Sequence, residues 1–248
     1  MTLPAARDNR AVSIAARIDL AAAFRWAARL DMHEGVCNHF SVMLPGGRFL
    51  MNPKGAHFAR IKASDLIVID EEGKTLEGTG RPLMTGHTIH TRIHLRHPAA
   101  RVVLHLHAPY STALTAMRGV RLEMVHQNSA RFLGEVAYDD HFNGIAVATE
   151  EGERMAAAMG GKRILFLANH GVIVIGESVA RAFDDFYYLE RACRVQLLAM
   201  QSGTPLSVMP EDVARMTHAQ WGNVSANAEL HFAAMKEILD AEEPSYAS

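Results

Sequence analysis

Cysteine is almost missing from this chain. Only Cys37 and Cys193 occur in 248 residues, far apart and without CxxC spacing, which excludes a disulfide framework and a cysteine-rich zinc site. Net charge is nearly missing too. The 25 basic and 27 acidic residues are interspersed to a formal charge of −2, leaving no footprint for a phosphate backbone or an anionic membrane. A small molecule is therefore expected as the partner, and nucleic acid and membrane are not. No apolar run approaches the roughly 18 residues of a membrane span. The opening MTLPAARDNR has no apolar core of the kind a secretory leader carries, so a cytoplasmic protein is expected. The phosphate-cradling patterns GxGxxG and GxxxxGK[ST] are absent. So is any Pro/Gly/Ser-rich linker. A chain of this length, 49% hydrophobic, can bury about 70–75% of its unfolded surface, and one domain over 1–248 is expected.

What is plentiful is histidine, with 14 residues. The stretch RVVLHLH at 101–107 reads as a strand, and alternation puts Val102, Leu104 and Leu106 on one face and Val103, His105 and His107 on the other. The two imidazoles share a face with Cα atoms roughly 6.6 Å apart, close enough to converge on one ion. Taken alone, the pair also fits two core histidines bonded to backbone carbonyls. A second signal is ILFLANHGVIVIG at 164–176, where two apolar runs flank Asn-His-Gly. His170 then rides on a turn between buried strands, with Gly171 free to adopt a conformation other residues resist.

Around these lie ordinary secondary-structure signals. Leu20, Phe24, Ala27 and Leu30 recur at helical spacing before Gly35 and predict a helix ending close to 33. HFSVML-PGG-RFLMN and LIVID-EEGK-TLEG read as hairpins. A helix over 84–96 stacks His90, Ile93, His94 and His97 along one side, a stripe read as mainly structural. Pro109 suits the first turn of a helix through Met117. Ser178 caps a long helix whose stripe of Val179, Ala182, Phe183, Phe186, Leu189, Cys193 and Leu197 does packing work, with Glu190 and Arg194 paired at i, i+4. The tail EEPSYAS is expected to fray.

The ordered set HEGVCNHFS (33–41), FLMNPKG (49–55), ASDLIVID (63–70), IHTRIHLRHPAARVVLHLH (89–107), VAYDD (136–140), LANHGVIVIG (167–176) and YYLERACRVQLLA (187–199) resembles the class II aldolase/adducin family over about residues 15–205. The resemblance implies an α/β fold, a three-layer α/β/α sandwich around a mixed, largely antiparallel sheet, with residues 206–248 as a helical extension. It also implies that His105, His107 and His170 are the ligands of a divalent ion, usually zinc, with manganese or iron as alternatives. Three histidines leave a coordination position open, as in a catalytic rather than a structural site. In the family, that ion acts as a Lewis acid and stabilises an enolate.

By the same resemblance the substrate-binding loops fall on Asn38 and Ser41, Lys54 and Gly55, and Thr85. Lys54 and Met84 stand where hydroxyl residues are common in the sugar-phosphate aldolases, which favours a carboxylate paired with Lys54 over a phosphate. The aldolases' acid/base glutamate corresponds to Gly86 here, and a glycine cannot move a proton. Candidate replacements are Glu34, His87 and, supplied by a neighbouring subunit, His126. Tyr110, Gln127 and Tyr187 are further candidates for the pocket wall. The resemblance implies a homotetramer with the active site at the subunit interface. The function expected is a metal-dependent lyase for a small hydroxy- or oxo-acid or sugar derivative, acting by decarboxylation or retro-aldol cleavage. Decarboxylation suits the missing glutamate, because no hydroxyl proton must be removed. An adducin-like binding module and an Fe(II)-dependent oxygenase on the same scaffold are the alternative classes.

Overall fold

The computed structural model describes residues 4–222 and 226–248, so the first three residues of the MTLPAARDNR start lie outside the described part. Eight strands form one sheet: β1 (His39–Leu44), β2 (Arg48–Met51), β3 (Ile67–Ile69), β4 (Thr75–Glu77), β5 (Val102–Leu106), β6 (Val136–Asp139), β7 (Ile164–Leu167) and β8 (Gly171–Gly176). Their order is β4-β3-β2-β1-β5-β8-β7-β6. Every neighbouring pair is antiparallel except β6–β7. This is the mixed, largely antiparallel sheet expected, and both predicted hairpins are present.

Among the described residues seven α-helices accompany the sheet: α1 (Pro4–Arg29), α2 (Met84–Arg96), α3 (Pro109–Thr115), α4 (Thr149–Met159), α5 (Val179–Met200), α6 (Glu211–Gly222) and α7 (Asn227–Glu242). On one face, Val102, Leu104 and Leu106 of β5 join a core with Leu20 and Phe24 of α1 and with Phe183, Phe186 and Leu189 of α5. On the other, Val103 packs with Ile89 and Ile93 of α2 and with Met155 and Met159 of α4. Period-two alternation along β5 thus divides the apolar residues between two helical layers.

Three expectations need correction. Helix α1 stops at Arg29, four residues short of 33, because Asp31 rather than Gly35 provides the left-handed turn at φ 55°. There the Met32 N–H bonds the Ala27 carbonyl and the Asp31 N–H bonds the Ala28 carbonyl, the paired bonds of a Schellman cap. The tail does not fray. Pro244–Ala247 forms a 3-10 turn, Tyr246 is 2% exposed, and the Ser64 N–H donates to the terminal Ser248 carbonyl at 2.9 Å. Glu243 anchors this segment through Arg25 at 2.9 Å and through Arg29. Finally, Glu190 does not pair with Arg194. Its carboxylate accepts from the Tyr110 and Ser111 N–H groups at 2.7 and 2.8 Å, holding the N-terminus of α3 just after the HxH strand.

Candidate metal centre

Strand β5 lies between β1 and β8, so its C-terminal end delivers His105 and His107 to the middle of the sheet edge. His170 arrives from the β7–β8 turn, with its ring centroid 4.7 Å from that of His105 and 5.0 Å from that of His107. One ring nitrogen from each of the three lies within 4.8 Å of the others. The left-handed residue of this turn is Asn169, at φ 56°, not Gly171 as the sequence suggests. Gly171 is required for another reason: a Cβ there would stand 2.6 Å from the Leu106 carbonyl oxygen and 2.7 Å from the His107 ring. Its missing side chain lets the turn close on the ligand strand.

Proton placement shows that this trio fits a cation. His105 Nδ1 lies 3.2 Å from the Val172 carbonyl, which can only accept, so the neutral ring is protonated at Nδ1 and keeps a lone pair at Nε2. His107 Nδ1 lies 2.5 Å from Glu34 Oε2 and donates to it in the same way. The two Nε2 atoms then face each other at 3.0 Å, acceptor against acceptor. A shared positive ion removes that conflict. Burial keeps His105 and His170 neutral: His105 is held well below the usual imidazole range, chiefly by desolvation and then by His170. His170 is pushed down to about 4 by burial and next by His107. Its Nδ1 is buried without a hydrogen-bond partner among the described residues.

A cleft of about 690 Å³ opens over the three rings, lined on its polar side by Glu34, Cys37, Lys54 and Thr85 and on its apolar side by Val36, Leu83, Phe142 and Ile145. Of the five residues expected to bind substrate, Lys54, Gly55 and Thr85 line it. Asn38 and Ser41 do not; both are fully buried. Asn38 Oδ1 accepts from the Glu34 N–H at 2.6 Å, which ties down the loop carrying Glu34. Ser41 is bonded to His90 and His94 of α2.

Of the expected acid/base groups, Glu34 lines the cleft of its own chain, with its carboxylate engaged with His107. His87 points elsewhere. Successive helix residues turn about 100°, so while Gly86 faces the sheet, the ring of His87 lies 2.8 Å from the Glu71 carbonyl. His126 precedes the short 3-10 turn Ser129–Phe132 and is not among the cleft's lining residues; nor are Tyr110, Gln127 and Tyr187.

Sequence reasoning missed His39. It pairs directly with His105 across β1–β5, its ring centroid is 4.9 Å from that of His105, and it lines the cleft. It also explains Gly86: a Cβ at 86 would come within 3.0 Å of the His39 ring and 3.1 Å of Met51. The signal lay in the hairpin's alternation, which places His39 and Ser41 on one face, but only the register of β1 on β5 reveals what they face.

A three-layer sandwich in which an HxH strand and a hairpin turn converge imidazoles at the sheet edge defines a class of protein. The chain belongs to the class II aldolase and adducin family, whose description, Class II Aldolase and Adducin N-terminal domain, matches residues 18–197. It is 34% identical over 237 residues to a putative aldolase class 2 protein of Caulobacter vibrioides, covering 94% of this chain and 91% of that one. It is 33% identical over 207 residues to the decarboxylase NovR of Streptomyces niveus, covering 82% and 76%. Among solved structures, an aldolase II superfamily protein from Pseudomonas syringae superposes with a TM-score of 0.88 at 31% identity, covering 95% of this chain and 96% of that one. The L-fuculose 1-phosphate aldolase of Glaciozyma antarctica PI12 superposes with a TM-score of 0.83 at 28% identity, covering 96% and 94%. No helix among the described residues is long and apolar enough to cross a membrane.

Proposed function

We propose that the protein is a metal-dependent lyase that cleaves a carbon–carbon bond of a small hydroxy- or oxo-acid, by decarboxylation in preference to retro-aldol cleavage. The observation that carries this reading is the pair of facing Nε2 lone pairs on His105 and His107, with His170 beside them at the floor of an open cleft. When bound, a divalent ion, for which zinc suits three neutral imidazoles, supplies Lewis-acid polarisation of a substrate carbonyl. Glu34 holds His107 in the tautomer that leaves Nε2 free. Lys54 offers the cleft a cation for a carboxylate, and the wall of Val36, Leu83, Phe142 and Ile145 favours an apolar substituent over a polyhydroxylated sugar phosphate.

Two further features support decarboxylation. The position matching the aldolase glutamate is Gly86, and the His39 ring fills the space beside it. The relatives include a named decarboxylase. An adducin-like binding role alone leaves the convergent imidazoles without a purpose. We further propose a homotetramer in which His126, buried at Nδ1 without a partner in one protomer, reaches a neighbour's cleft.

The test is a screen of hydroxy- and oxo-acids, with and without a phenyl or alkyl substituent, for CO₂ and aldehyde release by the metal-loaded protein before and after chelation. Metal-dependent CO₂ release from an apolar acid supports the reading. Efficient cleavage of a sugar phosphate, insensitive to chelation, would refute it.

A further inference from the structure

Behind the metal centre runs a second series of polar side chains, in the layer between the sheet and α2. His94 Nδ1 lies 2.5 Å from the Ala100 carbonyl. His94 Nε2 lies 2.7 Å from Ser41 Oγ, which is 2.6 Å from His90 Nδ1. His90 Nε2 lies 2.8 Å from His39 Nδ1. All four side chains are buried.

One end of this series fixes the direction of every bond. The Ala100 carbonyl can only accept, so His94 donates from Nδ1 and, as a neutral ring, accepts at Nε2. The Ser41 hydroxyl must then give its single proton to His94 and accept from His90 Nδ1. His90, protonated at Nδ1, accepts at Nε2 from His39 Nδ1. Each step removes one tautomer of the next ring, and at the end His39 has its proton on Nδ1 and a lone pair on Nε2. His39 lines the cleft, and its Nε2 meets Thr85 Oγ1 at a long 3.5 Å. Burial supports neutral rings along the series, with His94 pushed down to about 4 and His90 well below the usual range.

We propose that this directional series makes His39 Nε2 the hydrogen-bond acceptor of the cleft for a hydroxyl on the substrate, with Ser41, His90 and His94 as positioning residues, and that the preferred ligand therefore carries a hydroxyl in addition to the carbonyl that the ion would polarise. His39 pairs with His105 but is not one of the three convergent ligands. The role proposed for it is to orient, through a lone pair that no donor among the described residues satisfies well. This rests on the lyase reading for the nature of the ligand, but not for the tautomer.

The experiment is long-range ¹H–¹⁵N NMR of histidine-labelled protein, first without metal, then with Zn²⁺, then with lactate or pyruvate added in large excess as a hydroxy/oxo pair on one carbon skeleton. The metal-free protein should show His39 protonated at Nδ1 only. Zn²⁺ should produce a coordination shift at His105, His107 and His170 and none at His39 Nε2. Lactate, and not pyruvate, should then shift His39 Nε2 toward a hydrogen-bonded value. Ser41→Ala, which cuts the series, should leave His39 as a mixture of tautomers; if that variant does not fold, the wild-type spectra decide.

A proton on His39 Nε2 in the metal-free protein, a Zn²⁺ coordination shift at His39, or a His39 signal unmoved by lactate would each overturn the proposal. Loss of the lyase reading alone would leave the metal-free tautomer intact. Loss of this proposal alone would leave metal-dependent activity intact.

Discussion

Two groups of histidines lie within a few ångströms of each other on the same side of the sheet, and they satisfy themselves in opposite ways. In the buried group, His39, His90 and His94 are joined so that each internal contact has a donor and an acceptor. In the cleft group, His105 and His107 send their protons outward to Val172 and Glu34 and turn their lone pairs on each other. The same residue type is structural in one place and a candidate ligand set in the other. What separates the two is the partner at the remaining ring nitrogen, a proton donor in the buried group and another lone pair in the cleft group. A histidine count says nothing of this; the partners of the second nitrogen say it directly.

That contrast can be broken most severely at the ligands. His170→Ala should lower metal-dependent activity by about 10³-fold or more, since several kcal/mol of charge stabilisation go with the ion at about 1.4 kcal/mol per tenfold. Steady-state kinetics at saturating metal would check this, and an active variant would mean that His170 is not a ligand. Glu34→Gln should weaken metal binding by about 10- to 100-fold, the usual effect of removing a carboxylate behind a ligating imidazole. Competition with a coloured chelator would measure it.

Next comes the boundary between the groups. Gly86→Glu should not improve the native activity and should destabilise the fold by about 1–3 kcal/mol, because the new side chain enters at 3.0 Å from His39 and Met51 leaves it little room. Denaturant unfolding reads the stability, and a gain in the native activity would contradict the account of residue 86. Acid should act more gradually, one pH unit at a time. His94 stays neutral in the folded protein down to about 4 against 6.5 in the unfolded chain, so the unfolded state binds more protons between these values. Stability of the metal-free protein should therefore fall as pH drops through that window, by up to about 1.4 kcal/mol per pH unit for such a group, and this contribution vanishes above it. A smaller slope in His94→Gln would sharpen the assignment.

Much of this was legible in the sequence. Alternation along RVVLHLH placed His105 and His107 on one face, and the NHG turn placed His170 between strands, because both are local patterns with a fixed period. What the chain hid is non-local. His39 becomes part of the site only through the β1–β5 register, and Ser41 and Asn38 sit in a motif suggestive of ligand contact yet are fully buried and do not line the cleft. His87 looked equivalent to its neighbour 86 until the turn of α2 separated them. The tail read as polar and loose, but Tyr246 and Glu243 find their partners in residues over two hundred positions away or across a turn, among them Arg25 and Asp240. Depth and register are tertiary facts, and a short motif carries neither.

The central claim is that the cleft group binds one ion and the buried group binds none. Calorimetric titration of the metal-free protein with Zn²⁺ at neutral pH, run in parallel on wild type, His107→Ala and His94→Gln, tests it most directly. The account predicts about one site per chain in wild type and in His94→Gln, and loss of that site in His107→Ala. Equal stoichiometry and affinity in wild type and His107→Ala, or loss of binding in a folded His94→Gln, would contradict it.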